Sequence, residues 1–244
     1  MKRRTFITTT AIATTAATLL PGLSFSQDML SEAELIGKGN PDLVEKAGYR
    51  LRPEAAKAFD KMKAAAAKEN IDIQVVSSYR DYNHQNRIWE RKYRAYTNNG
   101  LSPEDAIAKI IEYSTIPGTS RHHWGTDLDI IDANSKTSGD VLVPSKFHGN
   151  GPFCKLKEWL DKHANEFDFY LVYTDLPQRQ GFNYEPWHFS YKPLSQNYLE
   201  QYRKLDIKEV LQEQQLLGSK AFTPEFITLY RQNNVLDINP ELLS

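Results

Sequence analysis

Ser120-Arg121-His122-His123-Trp124-Gly125-Thr126-Asp127-Leu128-Asp129 crowds two imidazoles and two carboxylates around one glycine. His122 and Asp129 are seven residues apart, so on one continuous strand they would face opposite sides. Gly125 permits the turn that could bring both to one place. Leu128-Asp129-Ile130-Ile131 reads as a short strand leaving that turn. On such a strand Asp127 and Asp129 share a face. Asp129 is the expected metal ligand, with Asp127 either competing for that position or tuning it from behind.

Two further stretches complete the constellation. Glu185-Pro186-Trp187-His188-Phe189-Ser190-Tyr191 holds a carboxylate three residues before a histidine, and Ser77-Ser78-Tyr79-Arg80 closes a strand that begins at Ile71. Together, His122, Asp129 and His188 form a two-imidazole, one-carboxylate set that suits catalytic zinc and leaves a position for water. Such ligands suit other divalent metals as well. Pro186 makes the approach to His188 irregular, so Glu185 can sit beside a metal without ligating it. A carboxylate there can accept the proton of a metal-activated water. Arg80 offers a rigid positive fork for the oxyanion formed when water attacks an amide carbonyl.

Ser-x-His-x-x-Gly-x-x-x-Asp, followed by Glu-x-x-His and preceded by Ser-x-Tyr-Arg, resembles the VanY-type D-alanyl-D-alanine carboxypeptidases. These belong to a wider group of zinc peptidases with D-Ala-D-Ala dipeptidases, phage cell-wall endopeptidases and hedgehog-like domains. The resemblance runs from Ser77 to Tyr191, roughly half the chain, in the family's order. It implies His122, Asp129 and His188 as ligands of one Zn2+ per chain, Glu185 as catalytic base and Arg80 as the group that polarises the scissile carbonyl. Gln85 and Ser120 match substrate-contacting positions, and Tyr79 and Trp187 are expected to join them. Three positions depart from the family pattern: Ser78 stands where glycine is usual, Asp127 where alanine is common, and Ser190 where arginine is frequent. The implied activity is hydrolysis of the C-terminal D-alanine from peptidoglycan stem peptides. The same ligands would serve an L,D-carboxypeptidase, an endopeptidase or a non-catalytic zinc-containing wall-binding protein.

Around these motifs the sequence reads as an α+β domain, a small antiparallel sheet carrying the zinc site and flanked by helices. Ala55–Lys68, Asp81–Tyr96, Pro103–Tyr113 and Phe153–Phe167 have helical composition or spacing. Ile71–Val76, Phe169–Tyr173 and Trp187–Tyr191 join the strand at Leu128. Residues 27–44 read as a loosely ordered lead-in, 45–195 as the catalytic domain, and 196–244 as a helical C-terminal extension with helices over Tyr198–Leu217 and Pro224–Gln232. About 50 residues make a marginal core alone, so the extension is expected to pack on the domain.

The N-terminus has its own signature. Arg3-Arg4-Thr5-Phe6-Ile7 precedes a weakly apolar Thr/Ala-rich run, and small residues follow at Ser24 and Ser26. Residues 1–26 therefore read as a signal peptide resembling the twin-arginine type, and the mature protein as periplasmic or secreted. Their removal takes three basic groups and no acidic ones, shifting the net charge from −1 to about −4. With 30 basic against 31 acidic residues over 244, the charge balance gives no support to a nucleic-acid partner. No apolar run approaches the ~18 residues of a membrane span, and a monomer is expected. The single cysteine, Cys154, excludes an intramolecular disulfide and reads as a buried apolar residue. Of the six histidines, His84, His148 and His163 read as structural, and His123 as structural or cleft-lining. Trp124 and Trp187 read as walls of the cleft or as core.

Overall fold

The computed structural model describes residues 29–212 and 215–243, so the signal-like segment lies outside the described residues. The lead-in is packed rather than loose. Ser31 opens the short helix α1 (Glu32–Leu35) with a reciprocal capping box to Glu34. Leu35 is buried and its carbonyl accepts the Trp124 indole N–H at 3.1 Å. A hairpin of β1 (Val44–Lys46) and β2 (Tyr49–Leu51) follows, turned through Gly48 at φ +96°. Strands of three residues are too short for alternation to announce them, and the sequence reading missed both.

α2 (Pro53–Ala67) begins with proline at its first position, where the missing N–H costs nothing. Its buried face of Ala55, Phe59, Met62 and Ala66 packs beneath the main sheet. That sheet is antiparallel, built from β3 (Ile73–Ser77), β4 (Asp127–Asp132), β5 (Phe169–Leu171) and β6 (His188–Tyr191) in the order β3-β4-β6-β5. Side chains alternate between its faces. Ile73, Leu128, Ile130, Phe169, Phe189 and Tyr191 join α2 and α5 (Cys154–His163) in one core. The intervening Asp127, Asp129, His188 and Ser190 are equally buried but polar. They face the other way, and there the sheet carries its chemistry.

A second core lies among α3 (Tyr82–Asn98), α4 (Pro103–Ile110), α6 (Lys192–Tyr202), α7 (Ile207–Gln212) and α8 (Pro224–Tyr230). Trp89, Ile107, Trp124, Tyr202 and Tyr230 fill it. Trp124 therefore belongs to the core and not to the cleft. The helix predicted over Tyr198–Leu217 is interrupted after Tyr202 and restarts where Asp206 Oδ1 accepts the Lys208 and Glu209 N–H groups. The one predicted over Phe153–Phe167 ends at His163 and tightens into a 3-10 turn closed by Asp168 at φ +62°. Cys154 is half-buried at the start of α5 with its thiol toward the Gly149 carbonyl, and so is not a core residue. α6, α7 and α8 pack against α3 and α4 in this second core, so the C-terminal residues share it with the segments before them. Among the described residues no helix is long and apolar enough to cross a membrane.

Candidate metal centre and its cleft

β4 and β6 set the site by register: Asp129 pairs with His188 and Asp127 with Ser190. The other histidine comes from the 3-10 turn Arg121–Trp124, which ends at Gly125. Gly125 has φ +71°, and a Cβ there would lie 2.7 Å from Leu43 Cδ2, so glycine alone fits without strain. This turn reverses the chain and carries His122 over Asp129, with His122 Nε2 3.4 Å from Asp129 Oδ2.

Each imidazole is oriented by a bond on the nitrogen turned away from the cluster. His122 Nδ1–H donates to the Ser78 carbonyl at 2.8 Å, which leaves Nε2 toward Asp129. Ser78 is placed for this by an irregularity in β3–β4 pairing between Val75 and Ser77, where a bulge re-aims the strand end. The Ser78 hydroxyl accepts the Arg50 N–H at 2.9 Å, so serine at this position ties the turn to β2. His188 Nε2 donates to Asp127 Oδ1 at 3.1 Å, while its Nδ1 faces Glu185 Oε2 at 2.9 Å and Asp129 Oδ1 at 3.7 Å.

His122, Asp129 and His188 each offer one ligand atom, and these lie within 4.8 Å of one another. Two buried polar atoms, His122 Nε2 and Asp129 Oδ1, have no hydrogen-bond partner. A buried nitrogen and oxygen left unpaired within one such cluster are what a divalent cation would satisfy. The donor set fits zinc.

Asp127 cannot compete for that position. Its two oxygens accept from Arg121 Nε at 2.9 Å, Thr126 Oγ1 at 2.6 Å, Ser190 Oγ at 2.9 Å and His188 Nε2. Arg121 also donates to Ser190 Oγ at 2.7 Å and lies over Trp124. The two departures at Asp127 and Ser190 thus form one buried network with Arg121. Burial alone would raise the Asp127 carboxyl, but Arg121 and His188 outweigh it and hold it far below the usual carboxylate range. The same contest at Asp129, with burial opposed by both imidazoles, leaves it at about 2. Burial would lower His188, yet bonds to Asp127 and Glu185 win and push it up to about 9. Glu185 is raised as well: burial lifts its carboxyl, against the pull of His188.

His122, Asp129, His188 and Glu185 line a cleft of about 480 Å³ with Arg80, Ser120 and Trp187. Arg80 is anchored through its backbone, which donates to the His122 carbonyl at 3.1 Å and accepts from His123 Nδ1 at 2.6 Å. Its Nε is buried without a partner. Burial draws its guanidinium down, and Asp129 and Glu185 hold it charged. Ser120 Oγ is likewise buried and unpaired. Trp187 forms a wall, packed against Phe147 and Tyr113 with ring centroids 5.7 and 6.3 Å apart.

Two predicted substrate contacts stand apart from the cleft lining. Tyr79 is buried against Arg50 on another side of the turn. Gln85 is buried behind the wall, its Nε2 donating to the Thr115 carbonyl at 2.8 Å. His123 is a strut and does not line the cleft. It bridges the Arg80 carbonyl and the Gly118 N–H, and burial lowers it to about 3. His84, His148 and His163 lie outside the cleft lining, His148 against Tyr184 and His163 against Glu166. The sequence reading did not single out Arg121, Tyr173 or Lys92, all of which line the cleft. Tyr173 stands edge-on to His188 at 5.1 Å. A tyrosine at a strand end carries no signal to separate this role from core packing, whereas Arg121 lay inside the motif, beside His122.

A buried His/Asp/His cluster on an antiparallel sheet, opening into a cleft with a carboxylate at its edge, defines a metal-dependent hydrolase. Residues 48–194 match the VanY D-alanyl-D-alanine carboxypeptidase family, and the chain belongs to that family. Over 142 residues it is 28% identical to the bifunctional D-Ala-D-Ala dipeptidase and D-Ala-D-Ala carboxypeptidase VanXYC of Enterococcus gallinarum, covering 58% of this chain and 66% of that one. Over 148 residues it is 27% identical to a D-alanyl-D-alanine carboxypeptidase of Enterococcus faecalis, covering 60% of this chain and 48% of the relative. The chain thus spans from about half to about two thirds of the length of these two relatives. A variant of the vancomycin-resistance D,D-pentapeptidase VanY, solved with Zn(II), shares the fold. That match has a TM-score of 0.52 at 24% identity, covering 70% of this chain and 90% of the other.

Proposed function

We propose that this chain is a zinc-dependent D,D-carboxypeptidase that removes the terminal D-alanine of peptidoglycan stem peptides. The observation that carries the reading is the trio of converging ligand atoms with His122 Nε2 and Asp129 Oδ1 unpaired, beside Glu185 in an open cleft. His122, Asp129 and His188 hold one zinc per chain. Zinc in that position supplies a Lewis acid for the scissile carbonyl and lowers the pKa of a water.

The chain's own residues do the rest. Asp127 keeps a proton on His188 Nε2, so that Nδ1 is the nitrogen offered to the metal. Glu185 takes the proton of the attacking water on its carboxylate. It then delivers that proton to the departing amine, a role its raised carboxyl suits. Arg80 is held by His122 and His123 through its backbone, and it places a fixed positive charge where the oxyanion develops. Ser120 Oγ, unpaired in the cleft, is available to the peptide. Residues 45–195 form the catalytic unit, a reading supported by the family match over 48–194. Residues 1–26 export the protein to the periplasm or the medium, where it acts as a monomer.

The test is incubation of the purified protein with stem pentapeptides and muropeptides, with and without chelator, read by mass spectrometry. The expected result is metal-dependent loss of one terminal D-alanine, abolished by Glu185→Ala. Tetrapeptides shortened by one residue would indicate L,D-specificity, and severed cross-links an endopeptidase. Zinc bound without cleavage of any wall peptide would overturn the enzymatic reading.

A further inference from the structure

Beyond the metal ligands the cleft reaches a lysine that the mechanism above does not use. Lys92 lies on α3 and lines the cleft together with Ser114, whose hydroxyl accepts from its ammonium at 2.7 Å. None of the ion pairs among the described residues includes Lys92. The carboxylates that act on it from a distance are Glu185 and Asp140, and the cations Arg91 and Arg80 oppose them. Burial draws the amine below its ordinary value. An ammonium has three protons to donate, and a single neutral hydroxyl leaves capacity to spare. Holding a partly buried cation without a counter-ion is costly, and the cost is recovered when an anion enters with a ligand.

We propose that Lys92 is a specificity residue that pairs with a carboxylate of the peptide bound in the cleft. The proposal rests on the peptidase reading above and adds a substrate class to it, a peptide with an ionised carboxylate within reach of Lys92. That carboxylate has two sources, the free C-terminus and an acidic side chain, and selective amidation of the peptide separates them.

The experiment uses a synthetic stem pentapeptide ending in D-alanyl-D-alanine in three forms: free acid, C-terminal amide, and side-chain amide. Wild type, Lys92→Met and Lys92→Arg are compared by kinetics. The two Lys92 substitutions are also compared with unsubstituted Lys92 by calorimetric binding in a Glu185→Ala background, where peptide is not consumed. Lys92→Met keeps the aliphatic length and removes the charge. It is expected to raise KM and the calorimetric Kd for the free acid by about 10- to 100-fold, with kcat falling less. One of the two amides should bind the Met variant and the unsubstituted lysine alike, which identifies the carboxylate, and Lys92→Arg should recover most of the loss. Zinc content and thermal midpoint should not change. Equal affinity of the Met variant and its lysine parent for all three peptides would overturn the proposal. So would an equal loss against all three, or no binding of any peptide. Absence of hydrolysis by wild type, with the selective loss of affinity retained, would overturn the peptidase reading and leave the role of Lys92 standing.

Discussion

His188 stands between two carboxylates, Asp127 on Nε2 and Glu185 on Nδ1. With no metal bound they hold it charged up to about pH 9, and the Nδ1 proton must leave before a cation can bind there. Zinc binding near pH 7 should therefore release about one proton, and apparent affinity should rise about tenfold per pH unit toward 9. Calorimetry in buffers of different ionisation enthalpy measures the first, and competition with a chelator at several pH values the second. The sign for the metal-free fold is the reverse. Its folded pKa is raised, so the stability His188 contributes is fully present below about pH 6.5 and is lost as pH climbs through about 9.

Asp127→Asn keeps the shape but removes the charge that matches Arg121 and selects the His188 tautomer. Zinc affinity should fall on the order of 10- to 100-fold. Breaking the buried pair should also cost roughly 3 kcal/mol of stability or more. Metal titration and chemical denaturation check these separately, and unchanged zinc affinity would remove Asp127 from the site's support.

At the scale of elements, the site depends on one turn and one strand irregularity. The 3-10 turn ending at Gly125 places His122, and the bulge in β3 places the Ser78 carbonyl that orients it. Gly125→Ala forces a side chain into the left-handed region and against Leu43. Its expected cost is about 1–2 kcal/mol for the backbone alone, with a further loss of bound zinc as His122 shifts. A lowered thermal midpoint with full zinc content would confine the effect to folding.

Most longer elements were legible. Pro53 and Ser102-Pro103 mark helix starts by known chemistry, and β-branched runs mark β3 and β4. What was not legible has a common cause. The β1–β2 hairpin, α1 and the interruption after Tyr202 are settled by bonds to distant segments or by one capping carboxylate within helix-forming composition.

At the scale of the molecule, the C-terminal segment reaches back to the loop that leads to Glu185. Asp237 Oδ2 accepts the Gln180 and Gly181 N–H groups at 2.8 and 3.2 Å, and its carbonyl accepts from Arg179. Arg179 in turn binds the carbonyls of Thr174 and Phe182. Asn239 bonds the backbone of Leu171 and Val172 at the end of β5. Gly181 lies so near Asn233 that a Cβ would fall 1.6 Å from its carbonyl oxygen, so the two segments are closely fitted. Tyr230 accepts the Ile116 N–H beneath the segment leading to Ser120. Asp237→Ala should free two N–H groups, lower stability by about 1–3 kcal/mol and reduce kcat several-fold through looser placement of Glu185. Paired melting and kinetic measurements decide this, and a melting shift with unchanged kcat would leave the extension a purely structural role.

By itself the sequence determined the chemistry on offer: two histidines, two carboxylates and an arginine. Ligand type and spacing are local properties, and a glycine at position 125 announces its own turn. It favoured Asp129 over Asp127 as the ligand and expected Tyr79 and Gln85 at the substrate, and neither of those two lines the cleft. Only the tertiary structure shows why Asp129 is the aspartate with an unpaired oxygen, because Arg121, Thr126 and Ser190 meet at Asp127. Their meeting depends on the β4–β6 register and on burial, both set by pairing between residues some sixty positions apart. Distant pairing leaves no mark in local composition. It appears only when the sheet closes, with both Asp127 oxygens satisfied and Asp129 Oδ1 left without a partner.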